Sequence, residues 1–388
     1  MKIVYVLESL GYKGGAERIV SEKMNYLAEK DGYDISVVTC YQNPKHSPNV
    51  YKLSDKVRQV HLGIEAYRQY KYGYPKRLWV KWQYHRTLCR QLDKAIASLQ
   101  PDIMIGMGYS LADVVCRVKT KAAIVIEGHE ARPFTHSGLL FSNISWLSKT
   151  YYRLSRNSYL HTIEKRANVV VALTEADAKE WHQARRVAVI PDFSSMTVSR
   201  LSNVKNQKAI AAGRLEWSKG FDRLIQIWTL VSKRHPEWQL DIYGEGVLEN
   251  ELKHNIEQSG LQNVTLHPFT SNISQCYAES SLCLLTSYFE GFSLVLLEAL
   301  RHGVPGVTFN CPYGPSEVID DNRCGYVIDN HQIQQFADKV CYLIEHPEVR
   351  NAFSEAAVIK GATYDKTVIM SQWEDLFASL TNEKTPEA

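Results

Sequence analysis

Short apolar runs alternate with amphipathic segments along the chain, and the alternation is interrupted once near the middle. The apolar runs predict strands, and the segments between them, with apolar residues three or four positions apart, predict helices. This alternation is typical of α/β units with mostly parallel sheets, so the pattern predicts two such units. The predicted strands are 2–7, 35–40, 58–61, 102–106, 122–126, 168–172, 186–190, 208–212, 239–243, 264–267, 281–285 and 304–309. The predicted helices are 15–30, 77–99, 110–119, 145–166, 175–184, 220–234, 247–259, 272–279, 293–302, 331–346 and 350–359.

The interruption follows residue 192, where the chain becomes polar and irregular. We therefore predict an N-terminal domain over 1–192, a linker over 193–206 and a C-terminal domain over 207–362. A chain of 388 residues is long enough for two domains with sizeable cores. The tail 363–380 has an amphipathic helical pattern. Its residues predicted to pack inward are Val368, Trp373 and Phe377.

Composition narrows the class of protein. The formal net charge of +3 is close to balance, so no general affinity for polyanions is expected. The eight cysteines include no Cys-x-x-Cys pair and several lie in apolar runs, which favours buried free thiols over disulfides or metal ligands. The apolar start of the chain is too short for a signal peptide, and no apolar run reaches the roughly 18–20 residues of a membrane span. We expect a cytoplasmic protein.

Two carboxylates follow the apolar run 281–285. Glu290 precedes a glycine in the turn after this predicted strand, and Glu298 lies within the apolar helical pattern 293–302, for which Ser293 is the predicted N-cap. A carboxylate on so apolar a helix must reach solvent or a partner, since burying it unpaired is costly. An exposed helix glutamate is the simpler interpretation, but the strand–turn–helix context favours a functional one.

A glycine turn follows the first predicted strand of each half. Residues 11–18 open a helix, where backbone NH groups favour an anion or a sugar oxygen. They form neither a Gly-x-Gly-x-x-Gly sequence nor a P-loop, so a plain tight turn is an equal alternative. The turn of the second half carries Arg214 and Lys219, two cations whose place at the carboxyl edge of a parallel sheet suits a diphosphate, although each alone could be a solvated surface residue. Gly244 lies in a third turn of this kind.

These motifs occur in one order and spacing, namely Gly14-Gly15-Ala16-Glu17-Arg18, Gly213-Arg214-(x4)-Lys219-Gly220, Glu290-(x7)-Glu298 and Gly314-Pro315-Ser316-Glu317. The ordered set resembles the retaining glycosyltransferases of family four, and the resemblance covers essentially the whole chain. It implies the GT-B fold, in which two Rossmann-like domains with parallel sheets face each other across an interdomain cleft. It also implies that the N-terminal domain binds the acceptor, that the C-terminal domain holds the nucleotide sugar, and that the helix 363–380 crosses back to the N-terminal domain.

The resemblance assigns roles to individual residues. It implies that Arg214 and Lys219 bind the diphosphate and stabilise charge on the departing nucleotide, a task suited to preorganised cations. It implies that Glu298 accepts hydrogen bonds from the ribose hydroxyls and that Glu290 lies near the donor sugar. His129 is similar to the family histidine at the reaction centre, with a buried or capping histidine as the alternative. The residues implied to line the nucleotide-sugar site are Gly14, Gly15, Gly213, Gly244, Gly291, Phe292, Ser293 and Leu294.

This scheme requires neither a metal ion nor another cofactor. The sequence agrees, because it contains no Asp-x-Asp and no His/Cys cluster with ligand spacing. Retaining transfer in this fold is expected to use the departing phosphate to assist the incoming hydroxyl, so no general base is assigned. Glu127, Glu130 and Glu290 are all conceivable in that role.

The expected function is transfer of a hexose or N-acetylhexosamine to a glycan or lipid-linked acceptor. The sequence Gly314-Pro315-Ser316-Glu317 departs from the more common Gly-Gly-x-x-Glu form and looks like a subgroup that acts in surface polysaccharide or glycan assembly with UDP-sugars. A nucleotide-sugar epimerase on the same fold and a non-catalytic nucleotide-binding scaffold are the alternatives. An epimerase needs acid and base groups around the sugar and no acceptor, while a scaffold would not need the intact set of charged residues.

Two stretches are basic and aromatic. Residues 67–90 carry seven Arg or Lys and no Asp or Glu, together with seven Tyr or Trp, and residues 141–156 are similar. This composition suits an anionic membrane surface, so we expect peripheral contact with a membrane that carries a polyprenyl-linked acceptor. A solvated basic helix face is an equal alternative. Nucleic acid is not expected, since no RNA-binding motif accompanies the patch.

Overall fold

The structure, a computed structural model, describes residues 1–73, 76–128 and 157–382. The chain divides into two compact units. The first comprises residues 1–190 together with the chain from Met370 onward, and the second comprises residues 191–369. Each unit is an α/β fold built on one parallel sheet, which confirms the predicted fold class.

The first unit contains a parallel sheet whose seven described strands are β1 (Lys2–Leu7), β2 (Asp34–Thr39), β3 (Arg58–His61), β4 (Ile103–Met107), β5 (Ala123–Glu127), β6 (Val169–Ala172) and β7 (Val187–Val189). Their order across the sheet is β3-β2-β1-β4-β5-β6-β7. β1, β4 and β5 are buried almost throughout, because helices cover both faces of a parallel sheet.

The second unit contains a parallel sheet of six strands, which are β8 (Lys208–Ala212), β9 (Gln239–Tyr243), β10 (Val264–His267), β11 (Leu282–Leu285), β12 (Gly306–Asn310) and β13 (Gly325–Asp329). Their order is β10-β9-β8-β11-β12-β13. Every residue of β11 is buried, and Leu284 of this strand shares a hydrophobic core with Trp228, Phe309 and Phe336.

The helices of the described residues cover the sheets and are α1 (Gly15–Ala28), α2 (Lys76–Leu99), α3 (Ala112–Val115), α4 (Glu175–Ala178), α5 (Phe221–Arg234), α6 (Glu249–Gln258), α7 (Ile273–Ala278), α8 (Leu294–Arg301), α9 (Pro315–Val318), α10 (Ile333–Glu345), α11 (Pro347–Ala362) and α12 (Lys366–Asn382). Residues 157–166 are also helical. None of the helices in these described ranges has the length and apolar composition needed to cross a membrane.

All twelve predicted strands are present, with ends that differ by at most two residues. The sequence pattern missed β13, a short strand that pairs with β12 at the edge of the sheet and whose surroundings are rich in turns. It also overestimated α3 and α4, which are single turns where ten residues were predicted at 110–119 and 175–184. The first part of the helix predicted at 145–166 lies outside the described residues.

The segment 193–206, predicted as a linker, is part of the second unit. Hydrogen bonds to that unit explain why. Ser202 Oγ donates to the carbonyl of Ser280 over 2.5 Å. Arg350 Nε donates to the carbonyl of Val204 over 2.8 Å. These bonds hold the segment against the second unit, so it is not a free connection between the units.

The C-terminal helix α12 packs into the first unit from Met370 onward. Trp373 and Phe377 are 1% and 0% exposed, as predicted, but Val368 is 46% exposed, so its predicted inward position is wrong. Val368 lies five residues before Trp373, which places it about 140° away around the helix and off the buried face.

A buried lysine anchors this helix. The Lys23 ammonium forms an ion pair with Glu127 and lies 3.7 Å from the centroid of the Trp373 ring. Lys23 and Glu127 are each 1% exposed, and charges so deeply buried require a partner. Glu127 also contributes, after burial, to a pKa of Tyr5 well above the ordinary value. Glu127, which the sequence left open as a base, is therefore engaged in the core of the first unit.

Candidate active site

The charged residues predicted to bind the nucleotide sugar follow two neighbouring strands at the centre of the second unit's sheet. From β8 the chain proceeds outward to β9 and β10, and from β11 it proceeds in the other direction to β12 and β13. Open parallel sheets bind ligands at the carboxyl edge of such a switch point, because the diverging loops leave a crevice there. Arg214 and Lys219 follow β8, and Glu290 follows β11. The predicted charged residues therefore flank this point.

Tyr288 ties the two loops together. Its backbone NH donates a hydrogen bond to the carbonyl of Ser218 (2.8 Å), and its ring stacks on that of Trp217 with 4.6 Å between centroids and 7° between planes. Its hydroxyl donates to Asp222 Oδ2 (2.7 Å), and burial together with Asp222 raises the pKa of Tyr288 to about 12. The loop after β8 and the loop after β11 therefore have a defined relative position.

Glycine allows the close approach of these loops. Gly220 has φ = +63°, and a Cβ atom there would lie 2.0 Å from the carbonyl oxygen of Thr286. Thr286 Oγ1 in turn donates to the Gly220 carbonyl over 2.9 Å. At Gly244 a Cβ atom would lie 1.9 Å from the carbonyl oxygen of Gly213, so the turn after β9 also requires glycine.

Lys219 and Glu290 form an ion pair at the carboxyl edge of the sheet. Lys219 Nζ donates to both carboxylate oxygens of Glu290, at 2.8 and 3.0 Å, and Ser287 Oγ donates to Glu290 Oε1 at 2.6 Å. The side chains are 22% and 9% exposed. An ammonium has three protons, so two bonds to Glu290 leave Lys219 one donor for a further oxygen.

Arg214 occupies a more open position. Its side chain is 65% exposed, and Nη1 lies 3.1 Å from Glu216 Oε1. An exposed pair of this kind contributes little stability, so the guanidinium can turn toward another anion at small cost. The structure thus places both predicted cations beside one strand end, with Lys219 held in place and Arg214 able to reorient.

Glu298 is buried in α8, at 5% exposure. Tyr277 OH donates a long hydrogen bond of 3.5 Å to its Oε2 atom. Its charge adds to burial in raising the pKa of the Cys283 thiol to about 12. The carbonyl of Glu298 accepts from His302 Nδ1 (2.7 Å) if that nitrogen carries the proton, and burial lowers the pKa of His302. Glu298 is therefore a buried, partnered carboxylate and not an exposed helix residue.

The segment between the two glutamates begins α8 as predicted. Ser293 is the N-cap, and its side chain accepts a hydrogen bond from Leu296 NH at 3.4 Å. Phe292 is buried against the Tyr364 ring, 5.5 Å between centroids, whereas Gly291 and Leu294 are partly exposed. The first turn of an α-helix has NH groups without helical partners, which suits a sugar hydroxyl or phosphate oxygen.

The loop after β12 packs directly against Glu290. A Cβ atom at Gly314 would lie 2.9 Å from Glu290 Cβ. The preceding Tyr313 has φ = +80°, a conformation that costs a non-glycine residue about 1–3 kcal/mol and is common at functional sites. Glu290 also adds to the burial that raises the pKa of Cys311 to about 12. The Gly-Pro-Ser-Glu motif therefore lies beside the ion pair.

The sequence analysis did not identify Arg223, a buried residue of α5 that contacts the loop after β11. It is 4% exposed and its Nε atom donates to the carbonyl of Thr286 at 3.1 Å. Its guanidinium lies 3.9 Å from the Tyr288 ring centroid and 4.4 Å from that of Phe309. Burial lowers its pKa. An arginine on the inner face of an amphipathic helix was the available signal.

The glycine turn of the first unit also lies at a switch point, between β1 and β4. Gly14 is the N-cap of α1, so no N-cap side chain accepts a hydrogen bond from the first turn, and Gly15 is the first helical residue. Tyr51 OH donates to the Gly14 carbonyl at 3.2 Å. His129 and the neighbouring Glu130 lie outside the described residues.

The basic and aromatic stretch 67–90 is largely exposed. Residues 66–71 form a 3-10 turn, and residues from 76 onward belong to α2. Tyr67, Tyr70, Trp79 and Trp82 are 62%, 67%, 57% and 52% exposed. We call this stretch the basic aromatic surface. Tyr74 and the second stretch, 141–156, lie outside the described residues.

Comparison with known proteins agrees with this geometry. Residues 194–359 match the family model "Glycosyl transferases group 1". An uncharacterized glycosyltransferase of Haemophilus influenzae is 25% identical over 97% of this chain and 99% of its own length. The amylovoran biosynthesis glycosyltransferase AmsD of Erwinia amylovora is 32% identical over 54% of this chain, which spans 62% of that relative's length.

The fold has close counterparts among solved structures. A TarM mutant of S. aureus in complex with fondaparinux, α-GlcNAc-glycerol and UDP superimposes with a TM-score of 0.75 over 97% of this chain and 99% of that one, at 18% identity.

Proposed function

We propose that this chain, a group 1 glycosyltransferase with the GT-B fold, moves a hexose or N-acetylhexosamine from a UDP-sugar to an acceptor with retention at the anomeric carbon. The acceptor is a glycan or a lipid-linked glycan, and the pathway is polysaccharide or glycan biosynthesis. Within GT-B enzymes we assign the chain to family four. Support comes from the family model, from a relative named for amylovoran biosynthesis, and from a structural neighbour that contains UDP and an α-glycoside.

One observation carries the proposal, namely the Lys219–Glu290 pair at the switch point of the second unit, with Arg214 beside it. A nucleotide sugar needs cations for its diphosphate and acceptors for its hydroxyls. Lys219 and Arg214 supply the first, while Glu290 and Glu298 supply the second. The cations follow β8 and the glutamates follow β11, and these strands are neighbours in the sheet, so one ligand can contact both sets.

In the proposed reaction the bond between the anomeric carbon and the β-phosphate oxygen breaks, and a bond from that carbon to the acceptor oxygen forms on the same face. The acceptor proton passes to the departing phosphate oxygen, and UDP leaves. Lys219, which Glu290 holds in place, stabilises the negative charge that develops on the diphosphate as a preorganised cation, and Arg214 turns toward the same anion. Glu290 orients the Lys219 ammonium and a hydroxyl of the donor sugar, and Glu298 accepts from the ribose.

We propose that transfer proceeds without a metal ion, because these two cations offset the charge that a metal would otherwise neutralise. Among residues 1–73, 76–128 and 157–382, no group of three or more His, Cys, Asp or Glu side chains is arranged to hold a metal. Transfer should therefore persist in the presence of EDTA. Complete loss with EDTA, restored by Mg²⁺ or Mn²⁺, would contradict this part of the proposal.

We also propose a cytoplasmic location with peripheral contact to an anionic membrane through the basic aromatic surface. Free thiols are consistent with a reducing compartment: all eight cysteines are free and six are buried. The exposed cations and aromatic rings of residues 67–90 provide the charge and the interfacial side chains that such contact needs. Reversing the charge of Lys76, Arg77 and Lys81 should abolish co-sedimentation with anionic liposomes.

The decisive experiment uses the whole chain with a panel of UDP-, GDP- and ADP-sugars. Thermal stabilisation and slow hydrolysis identify the donor, and proton NMR of the product identifies the anomeric configuration. We expect a UDP-sugar to stabilise the protein and the product to keep the donor's configuration. An inverted product would refute retention. An isomerised nucleotide sugar that forms without any acceptor would show that the reaction is epimerisation and not transfer.

A further inference from the structure

Three side chains form a stack that extends from the core of the second unit to its surface, at the carboxyl edge of the sheet. Arg223 is the buried end, and its guanidinium lies 3.9 Å from the centroid of the Tyr288 ring. The Trp217 ring lies 4.6 Å from the same centroid, with 7° between the two planes. Two groups this close cannot share one face of a ring, so Tyr288 lies between the guanidinium and the indole. Trp217, the outer member, is 42% exposed.

We call these three residues the aromatic stack, and its inner members hold the indole in one orientation. Trp217 begins a 3-10 turn, and its carbonyl accepts a hydrogen bond from Gly220 NH at 3.1 Å. Tyr288 is held by the hydrogen bonds described above, and Arg223 Nη1 donates to Asn330 Oδ1 at 2.7 Å. A ring that is fixed on one side and exposed on the other loses little conformational entropy when a ligand covers it. The indole is therefore preorganised for a flat ligand.

The indole points away from the cation that we propose for the diphosphate. Trp217 and Lys219 begin and end the same 3-10 turn. With three residues per turn, side chains two positions apart project about 120° from each other around the axis. Lys219 points to Glu290, so the indole lies on another side of the turn. A ligand on the indole is therefore a neighbour of the bound diphosphate and does not compete with it.

The aromatic stack and the proposed ribose carboxylate lie against opposite faces of the sheet. The charge of Glu298 acts on the thiol of Cys283, whereas the Arg223 guanidinium lies 4.4 Å from the Phe309 ring, which belongs to the same core as Leu284. Consecutive residues of a strand point to opposite faces. A ribose and base placed at Glu298 therefore leave the open face of the indole uncovered.

A histidine lies beside the aromatic stack. His331 follows β13, is exposed and has φ = +71°, a backbone conformation that is costly for a non-glycine residue and common at functional sites. Its ring centroid lies 6.4 Å from that of Tyr288, so the imidazole and the indole are both next to this ring. An imidazole can donate and accept hydrogen bonds. The surface next to the indole thus offers a partner for a hydroxyl group.

An indole face beside a hydrogen-bonding side chain suits a sugar ring. The face of an aromatic ring is electronegative, and the C–H bonds on one face of a pyranose are polarised with the hydrogen positive, so the two surfaces attract each other. An apolar protein surface would need a contiguous patch, but the chain neighbours of Trp217, Glu216 and Ser218, are polar. The indole carries no charge, so the ligand need not be anionic.

We propose that the open face of Trp217 binds a neutral pyranose of the acceptor glycan, with His331 hydrogen-bonded to one of its hydroxyls. The sequence analysis assigned the acceptor to the N-terminal domain, and this contact adds an acceptor subsite in the second unit. The acceptor assignment rests on the transferase function proposed above, whereas sugar binding to Trp217 can be measured without any transfer.

The test follows the indole NH signals of the full chain by NMR while chitotriose or cellotriose is added without any nucleotide sugar. In these β-linked sugars the ring substituents are equatorial, so both faces present axial C–H bonds to a flat ring. The Trp217 signal is identified by its absence from the spectrum of Trp217→Phe. We expect at least one of the two sugars to shift this signal to saturation. Trp79 in the first unit, which is 57% exposed, is the internal control and should shift little.

Matched variants measure the contribution of the ring, with affinity determined by saturation transfer to the sugar. Trp217→Ala should weaken binding about tenfold, as the loss of a stacked aromatic contact and its buried area allows. Trp217→Phe should keep most of the affinity, because a ring face remains. His331→Ala should weaken binding about fivefold, as the loss of one hydrogen bond does. Trp79→Ala removes an indole of similar exposure and should leave the affinity unchanged.

Five results would overturn the inference. Neither sugar shifts the Trp217 signal, or the shifts at Trp217 and Trp79 are equal, which would mean contact with any exposed indole. Trp217→Ala binds the sugars with unchanged affinity. Trp217→Ala loses its stabilisation by the nucleotide sugar, so that the indole only supports the loop of Lys219. Free uridine shifts the Trp217 signal more than either sugar, which would assign the indole to the nucleobase.

Failure of the transferase proposal gives a different result. In that case no nucleotide sugar of the panel stabilises the unmodified chain, whatever chitotriose and cellotriose do at Trp217. Stabilisation by a nucleotide sugar together with an unchanged Trp217 signal would instead refute the subsite and leave the transferase proposal intact.

Discussion

Replacing Lys219 by methionine removes one charge and keeps most of the side-chain volume. Glu290 is 8% exposed and would lose both bonds from the ammonium, retaining only the 2.6 Å bond from Ser287. A buried acceptor left without its partner costs about 1–3 kcal/mol. A loss of about 2 kcal/mol corresponds to a fall in Tm of roughly 4–8 °C for a unit of this size.

The same substitution should affect catalysis more strongly. If the third proton of Lys219 contacts the departing diphosphate, removing it should lower kcat by about a hundredfold, as removing one preorganised oxyanion donor does. The assay is UDP release with the donor identified by the sugar panel, measured beside thermal unfolding of the same preparation.

The double variant Lys219→Met with Glu290→Gln separates the two effects. A neutral amide no longer needs the ammonium, so most of the lost stability should return, while kcat should stay low. As a control, Lys253→Met removes an exposed lysine paired with Glu249 at 2.6 Å and should cost less than about 0.5 kcal/mol, with no change in kcat.

Two outcomes would refute this reasoning. A Lys219→Met enzyme with nearly full kcat would show that the ammonium does not act on the departing group. A double variant that regains both stability and activity would show that Lys219 serves only to neutralise Glu290.

Three further predictions concern the same unit. Glu298→Gln should raise the KM for the nucleotide sugar about tenfold with a much smaller change in kcat, because it weakens ribose binding more than chemistry; an effect on kcat alone would contradict the ribose assignment. Gly220→Ala should lower the free energy of unfolding, measured in urea, by more than about 2 kcal/mol, because the added methyl group clashes with Thr286 and the backbone is strained at φ = +63°. Gly260→Ala is the control: φ is +67° but nothing lies within 4 Å of the added methyl group, so only the backbone strain of about 1 kcal/mol should appear. Burial lowers the pKa of His302, so the unfolded chain takes up a proton at this histidine before the folded protein does as the pH falls below about 6.5. The free energy of unfolding should therefore decrease from that pH down to the folded-state pKa. His302→Asn should remove this part of the pH dependence, measured by urea titrations at about pH 7 and pH 5.

Much of the fold was predictable because it depends on short-range patterns. A strand such as β11 is a run of consecutive buried residues, and the N-cap at Ser293 depends on a hydroxyl within three residues of its acceptor NH. Both signals come from residues close together in the sequence, so they can be recognised without knowing which other elements lie nearby in the fold. β13 was missed although shorter edge strands such as β3 were predicted, because its sequence begins with Gly325, ends with Asp329 and follows a polar turn, which leaves only three consecutive apolar residues as a signal.

Some residues of the candidate site were also predictable from the sequence and others were not. The residue types and their spacing along the chain were enough to single out Arg214, Lys219, Glu290 and Glu298. The helix pattern places Arg223 at an inward position, but it does not say which group a buried arginine contacts. Its role depends on the Thr286 carbonyl, 63 residues away.

The sequence by itself determined the order of strands and helices, the two-unit organisation, and which charged residues occupy strand ends. The tertiary structure decided that Lys219 and Glu290, 71 residues apart, form one ion pair. The physical reason is the sheet order: β8 and β11 become neighbours only when the whole parallel sheet assembles, and the loops then meet through Gly220 and Tyr288. Spacing along the chain contains no information about that pairing, because it arises from long-range packing of the complete unit.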